Sequence, residues 1–206
     1  MCCVASGDDL ANGELNGYWD TNLENPNRNS YKRVVTGAVR AVDFIASLPQ
    51  WNGNTIGVTG SSQGGFLSLA VAALDKRITF LAPVHDAMCD YEAEIHGVAG
   101  GWPHYFYKEN QVLGAAWKEQ KLTELEKMRL EGARYYDGAN FARRITCPGW
   151  YSFGYNDEVV PPTSSYGLYN SVKAPKTLSL YQMTGHFWYQ EQWEEWQAWI
   201  VQQLTK

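Results

Sequence analysis

The sequence predicts an α/β fold with a mainly parallel sheet flanked by helices, and three observations carry that reading. Short β-prone runs alternate along the chain with stretches of helical periodicity. One run, residues 78–84, is apolar at almost every position, as suits a parallel strand covered on both faces. One helical stretch, residues 66–74, is almost entirely apolar, as expected of a helix buried against a sheet. With 206 residues, 45% hydrophobic and 19% charged, the chain is expected to form a single domain over 1–206. A core of that size needs no disulfide or metal staples. There is no internal repeat, low-complexity tract or long linker.

In chain order, residues 1–6 (MCCVAS) read as a very short strand and 7–30, rich in Asn, Gly and Asp, as loop. From 31 to 48 the apolar positions Val34, Val35, Ala38, Val39, Val42, Ile45 and Ala46 recur at three and four. That spacing predicts a helix with one buried face, ended by Pro49. NTIGVT at 54–59 is a β-prone run that breaks at Gly60, and the apolar helix at 66–74 follows. After the strand at 78–84, residues 85–146 form an irregular, partly helical region, an insertion or pocket wall, with a charged helical stretch at 113–134. Strands are expected at 148–153 and 177–183. An amphipathic helix at 193–204 closes the chain, with Trp196, Trp199, Ile200 and Leu204 on one side.

Composition removes several classes of function. The net charge is −5 with no basic run, which argues against nucleic acid and anionic membranes as partners. No stretch approaches the roughly 18 apolar residues of a membrane helix. The first residues lack the basic and apolar regions of a secretory signal, so the expectation is a cytoplasmic protein by default. Cys2, Cys3, Cys89 and Cys147 suggest neither a disulfide framework nor a zinc site. Thirteen Tyr and nine Trp are a heavy aromatic load, expected mostly in core or interface rather than in carbohydrate platforms.

Sites in parallel sheets form at the carboxyl ends of strands. After NTIGVT comes Gly60-Ser61-Ser62-Gln63-Gly64-Gly65 and then the apolar helix. This is G-x-S-x-G between strand and helix, a nucleophile elbow. Its tight turn requires neighbours without side chains, the expected reason for Gly60 and Gly64. Ser62 Oγ would stand at the helix N-terminus, where the backbone N–H of Gln63 can bind an oxyanion. A serine hydroxyl needs a base, itself oriented by a third group, in the chain order serine, acid, histidine. Asp157 follows the strand PGWYSF in the turn GYNDE, and His186 follows the next strand in TGHF. Glu158 is the nearest rival for the acid, but the shorter Asp is better held in a turn.

His85, His96 and His104 remain. His85 follows the strand at 78–84 and could line the pocket at the active edge. His85, Asp86, Cys89 and Asp90 lie close together in sequence but match no zinc pattern, so no metal is expected. Cys89 lacks a glycine elbow and is no nucleophile candidate.

These segments resemble the acetyl xylan esterase and cephalosporin C deacetylase family of α/β-hydrolases. The G-x-S-Q-G-G elbow is similar to that family's. RVVTGAVRAVDFIASLPQWNGNTIGVTGSSQGG resembles its helix-then-strand approach, GYNDEVVPPTSSYGLYN its acid loop, and Thr184-Gly185-His186 its histidine turn. The resemblance runs from about residue 12 to the C-terminus and includes Gly100-Gly101-Trp102-Pro103-His104. It implies Ser62, Asp157 and His186 as triad and Gln63 N–H as oxyanion donor, with Trp102 and His104 beside His85 as substrate contacts. It implies hydrolysis of small acetylated esters, acetylated sugars or xylan oligosaccharides through an acyl-enzyme, without cofactor or metal.

The family carries several strands ahead of the helix at 31–48, and its Arg-Gly-Gln stretch upstream of the elbow has no counterpart here. The fold expected is therefore an α/β-hydrolase-type sheet lacking several early strands, with an exposed edge open to homo-oligomer formation. Two other readings stand beside the acetylesterase. One is a non-catalytic remnant or weakly active binding protein with an incomplete oxyanion hole. The other is a thioesterase or peptidase on the same scaffold.

Overall fold

The computed structural model describes residues 17–107 and 121–206. The strand expected at 1–6 and residues 113–120 of the expected charged helix lie outside the described residues. Four strands, β1 (Gly57–Ser61), β2 (Phe80–Val84), β3 (Gly149–Gly154) and β4 (Lys176–Tyr181), lie in the order β1-β2-β3-β4. All three pairings are parallel, so the four carboxyl ends share one edge. Helix α1 (Ser30–Ser47) precedes β1, and α2 (Gln63–Leu74) links β1 to β2. The β2–β3 connection holds a 3₁₀ turn (Tyr91–His96), α3 (Glu124–Arg134) and α4 (Gly138–Ala142). Helix α5 (Pro162–Ser171) links β3 to β4, and α6 (Gln190–Leu204) ends the chain.

Local chemistry explains most boundaries. Asn29 Oδ1 accepts the Tyr31 N–H at 2.9 Å and caps α1. At the other end Leu48, the residue before Pro49, turns extended (φ −74°, ψ 136°) as proline demands of its predecessor. Thr123 and Glu126 form a reciprocal capping box that starts α3. Gly60 does not break β1 as expected: the ladder continues, with Gly60 opposite Pro83 and Ser61 opposite Val84. Helix α2 then starts at Gln63, three residues before the apolar stretch, because its first turn is the elbow itself. Helix α5 lies in a Ser- and Tyr-rich stretch read from sequence as part of the acid loop. It starts with Pro162 in its first turn, where a missing N–H costs nothing.

Successive side chains along a strand point to opposite faces, and the side chains of these strands accordingly pack into two layers. Leu81 and Tyr151 face Val42, Leu69, Val71 and Leu168 from α1, α2 and α5. Ala82, Val84 and Trp150 face Trp188, Trp196, Trp199 and Ile200, from α6 and its approach. Trp196 Nε1–H anchors α6 across β1 and β2, donating to Thr59 Oγ1 at 3.0 Å and to the Ala82 carbonyl at 3.2 Å. The outer edge of β1 has no strand partner among the described residues. No helix among them is long and apolar enough to cross a membrane.

Candidate active site

The elbow forms where β1 runs directly into α2. Ser62 takes φ 57°, ψ −122°, a backbone region that costs a residue with a side chain on the order of 1–3 kcal/mol. Its surroundings hold it there. The Ser62 N–H donates to the Val84 carbonyl at 2.9 Å. The Ser62 carbonyl accepts N–H groups from Phe66 at 3.1 Å and Ala87 at 3.2 Å. A Cβ on Gly60 would lie 2.3 Å from the Gly64 backbone, so glycine is required at 60. At Gly64 the expectation is corrected: a Cβ there would meet nothing within 4 Å, and φ is not positive. The close approach is made by Gly60 onto Gly64, and only the approaching residue must lack a side chain.

Ser62 Oγ does not cap α2 and makes no hydrogen bond among the described residues. The Gln63 N–H, first in the helix, has no intrahelical acceptor and stands at the positive end of the helix dipole. The Gln63 side chain is fastened from segments far from it in the chain. Its Oε1 accepts the Tyr18 hydroxyl at 2.6 Å and the Tyr31 hydroxyl at 3.3 Å.

Asp157 and His186 stand beyond β3 and β4 on two loops bound to each other. Asn156 N–H donates to the Thr184 carbonyl at 3.0 Å, and Asn156 Nδ2 to the Gln182 carbonyl at 3.2 Å. Gly154 permits this approach, since a Cβ on it would sit 1.9 Å from Thr184 Oγ1. Asp157 Oδ1 accepts the N–H groups of Val159 at 3.0 Å and Val160 at 2.8 Å. Its Oδ2 lies 2.8 Å from His186 Nδ1. Burial pushes this carboxyl upward, but the His186 bond, the His85 contact and the Val160 N–H outweigh it and hold Asp157 well below the usual carboxylate range. Asp157 is buried, His186 keeps 24% of its side chain exposed, and Glu158 points to solvent. Of the two candidate acids, Asp157 is the one that meets the histidine.

The remaining candidates are placed apart. His85 is buried at 1% exposure behind Asp157, with Nδ1 3.3 Å from Oδ2, off-line for a hydrogen bond. That corrects its reading as a pocket-lining residue, because it has almost no surface to offer a ligand. Trp102 is half-buried and packs on Trp19, ring centroids 5.4 Å apart. Its carbonyl accepts the N–H of Met88, next in chain to Ala87, which bonds Ser62. His104 Nδ1 lies 2.8 Å from Oε1 of the buried Glu94, a side-chain contact within its own loop region. Cys89 is buried, and burial pushes its thiol well above its ordinary range, against a nucleophilic role.

His85, Asp157 and His186 bring three potential ligand atoms within 4.8 Å of one another. The 2.8 Å His186–Asp157 separation is a hydrogen bond with a proton between the two atoms. An ion with 2.0–2.2 Å bonds would have to pry that pair apart. Two surface hollows, of about 370 and 280 Å³, lie on the α3 side of the molecule and include none of Ser62, Asp157 or His186. The chemistry-bearing residues gather at the strand ends instead.

Similarity to known proteins accords with this layout. Residues 8–203 match the family model for acetyl xylan esterase (AXE1). The acetyl esterase Axe7A of Xylanibacter ruminicola is 38% identical over 172 residues, 84% of this chain and 36% of that protein. The structure of an acetyl xylan esterase from Paenibacillus sp. R4 superposes with a TM-score of 0.74 at 28% identity, over 89% of this chain and 56% of that one. Acetyl xylan esterase 1 from Thermoanaerobacterium sp. JW/SL YS485 shares the fold with a TM-score of 0.75 at 22% identity, over 91% and 58%. The chain thus spans well under two thirds of each of these relatives. On the extent of the family match and the identity to Axe7A, the chain belongs to the acetyl xylan esterase family.

Proposed function

We propose that this chain is a serine carboxylesterase that removes acetyl groups from acetylated sugars or xylan oligosaccharides. The observation that supports it most is the 2.8 Å pair of Asp157 and His186, set on the same sheet edge as the strained Ser62 elbow. In this reading Asp157 fixes His186 with its Nδ1 protonated, leaving Nε2 free to accept the Ser62 hydroxyl proton. Ser62 Oγ attacks the acetyl carbonyl, and the Gln63 N–H stabilises the oxyanion. His186 then returns the proton to the departing sugar oxygen, leaving an acetyl-enzyme that water, activated by the same histidine, hydrolyses to acetate. Trp102 and His104 are assigned to the sugar side, and the reaction calls on no cofactor.

Hydrolysis of p-nitrophenyl acetate tests the reading. Ser62→Ala is expected to lose on the order of 10⁴-fold in kcat, with fluorophosphonate labelling abolished. Unchanged turnover or labelling in that variant would remove it. A binding role without turnover is the second reading, favoured by the lack of a hydrogen bond on Ser62 Oγ among the described residues. An inert wild type that still binds acetylated xylo-oligosaccharide would establish it.

A further inference from the structure

We infer that His85 is a positioning residue for the acid–base pair, a second imidazole on the carboxylate oxygen that His186 uses. The inference rests on the esterase reading above and extends it to a residue that the three-residue mechanism leaves idle. His85 is the first residue beyond β2, and its N–H reaches across to the Ser152 carbonyl of β3 at 2.9 Å. Its φ of 50° is left-handed, a conformation that costs a residue with a side chain on the order of 1 kcal/mol. A strained backbone persists where the surroundings over-determine it, and here it turns the ring inward. The ring centroid lies 5.5 Å from that of His186 and 6.4 Å from Trp188, which meets it edge-on.

A buried imidazole whose two nitrogens make no aligned hydrogen bond is expensive, and His85 is in that condition. The charged acceptor beside it is Asp157 Oδ2, 3.3 Å from Nδ1. Asp157 Oδ1 is already occupied by the N–H groups of Val159 and Val160. A lone pair on Nδ1 would face the carboxylate charge, whereas a proton there is attracted to it. The geometry therefore selects the neutral Nδ1–H tautomer of His85. A small ring rotation completes the bond.

Asp157 is then gripped at both oxygens, two backbone N–H groups on Oδ1 and two imidazoles at Oδ2. Rotation of the carboxylate is blocked while the charge on His186 rises and falls during acyl transfer. His85 touches no substrate and acts through Asp157.

The test compares the wild type, His85→Leu, His85→Asn and Ser62→Ala in the full chain. Leucine keeps bulk without a donor. Asparagine keeps an amide N–H near the place of Nδ1 and tolerates left-handed φ. With p-nitrophenyl acetate, His85→Leu is expected to lower kcat by about 10-fold or more with KM within about 3-fold. His85→Asn should recover to within about 3-fold of wild type. Nitrogen-15 spectra of histidine-labelled wild type should show His85 as the Nδ1–H tautomer, a readout independent of turnover. An Nε2–H tautomer, or full kcat in a folded His85→Leu, would overturn the role. Wild-type turnover in Ser62→Ala would instead sink the esterase reading itself, so the two failures are distinguishable.

Discussion

Asp86 and Asp157 both lie just beyond a strand end, on the same edge of the sheet, and both are buried, at 1% and 3% exposure. Their environments push them in opposite directions. Burial raises the Asp86 carboxyl to about 7, and its Oδ1 has no hydrogen-bond partner. Burial also raises Asp157, but the His186 bond, the His85 contact and the Val160 N–H reverse the sign. The lesson is that depth does not decide charge. Donors do: His186, His85 and the Val160 N–H gather on Asp157, whereas none reaches Asp86 Oδ1.

The largest expected effect breaks the well-partnered side. Asp157→Asn keeps an oxygen for the Val159 and Val160 N–H groups but removes the charge that orients His186. Esterase kcat should fall on the order of 10³- to 10⁴-fold while circular dichroism stays native. A loss under 10-fold would show that His186 is held by something other than Asp157.

The second prediction concerns stability against pH, where the two carboxyls contribute with opposite sign. Asp157, depressed in the folded chain, adds stability that is present above about pH 4 and lost as pH falls toward its lowered value. Asp86, raised in the folded chain, contributes stability that is full below about pH 4 and lost as pH rises through about 7. Asp86→Asn should therefore match wild type near pH 4 and exceed it at pH 8, by on the order of 4 kcal/mol. Denaturant midpoints at the two pH values measure this, and a pH-independent difference would refute the assignment.

A smaller effect extends the contrast to the backbone, where two glycines of one motif have different surroundings. Gly60→Ala forces a Cβ to within 2.3 Å of the Gly64 backbone and should cost about 1–3 kcal/mol. Gly64→Ala enters open space within a helix and should be neutral or stabilising by about 0.5 kcal/mol. Equal melting temperatures for the two variants would mean that the elbow relaxes.

The residues themselves made much of this site legible. Ser62, Asp157 and His186 could each be picked out because each follows a β-prone run, and a parallel sheet sends all such positions to one edge. The strand at 78–84 was readable because continuous apolarity has one meaning in a covered sheet. Helix α5 was not, since Pro162, three serines and a glycine carry no helical signal and its formation depends on Leu168 packing beneath the sheet. The Tyr18–Gln63 link spans 45 residues and had no local trace.

By itself, then, the sequence determined the succession of the four described strands, the elbow and the acid–histidine candidates, because turn sterics and apolar periodicity act over a few residues. Only the tertiary structure decided which carboxyl meets the histidine, that His85 turns inward onto it, and that Gly60 rather than Gly64 is the constrained glycine. Those outcomes depend on distances between segments far apart in the chain. Side-chain chemistry sets what such an encounter is worth, but packing sets whether it occurs.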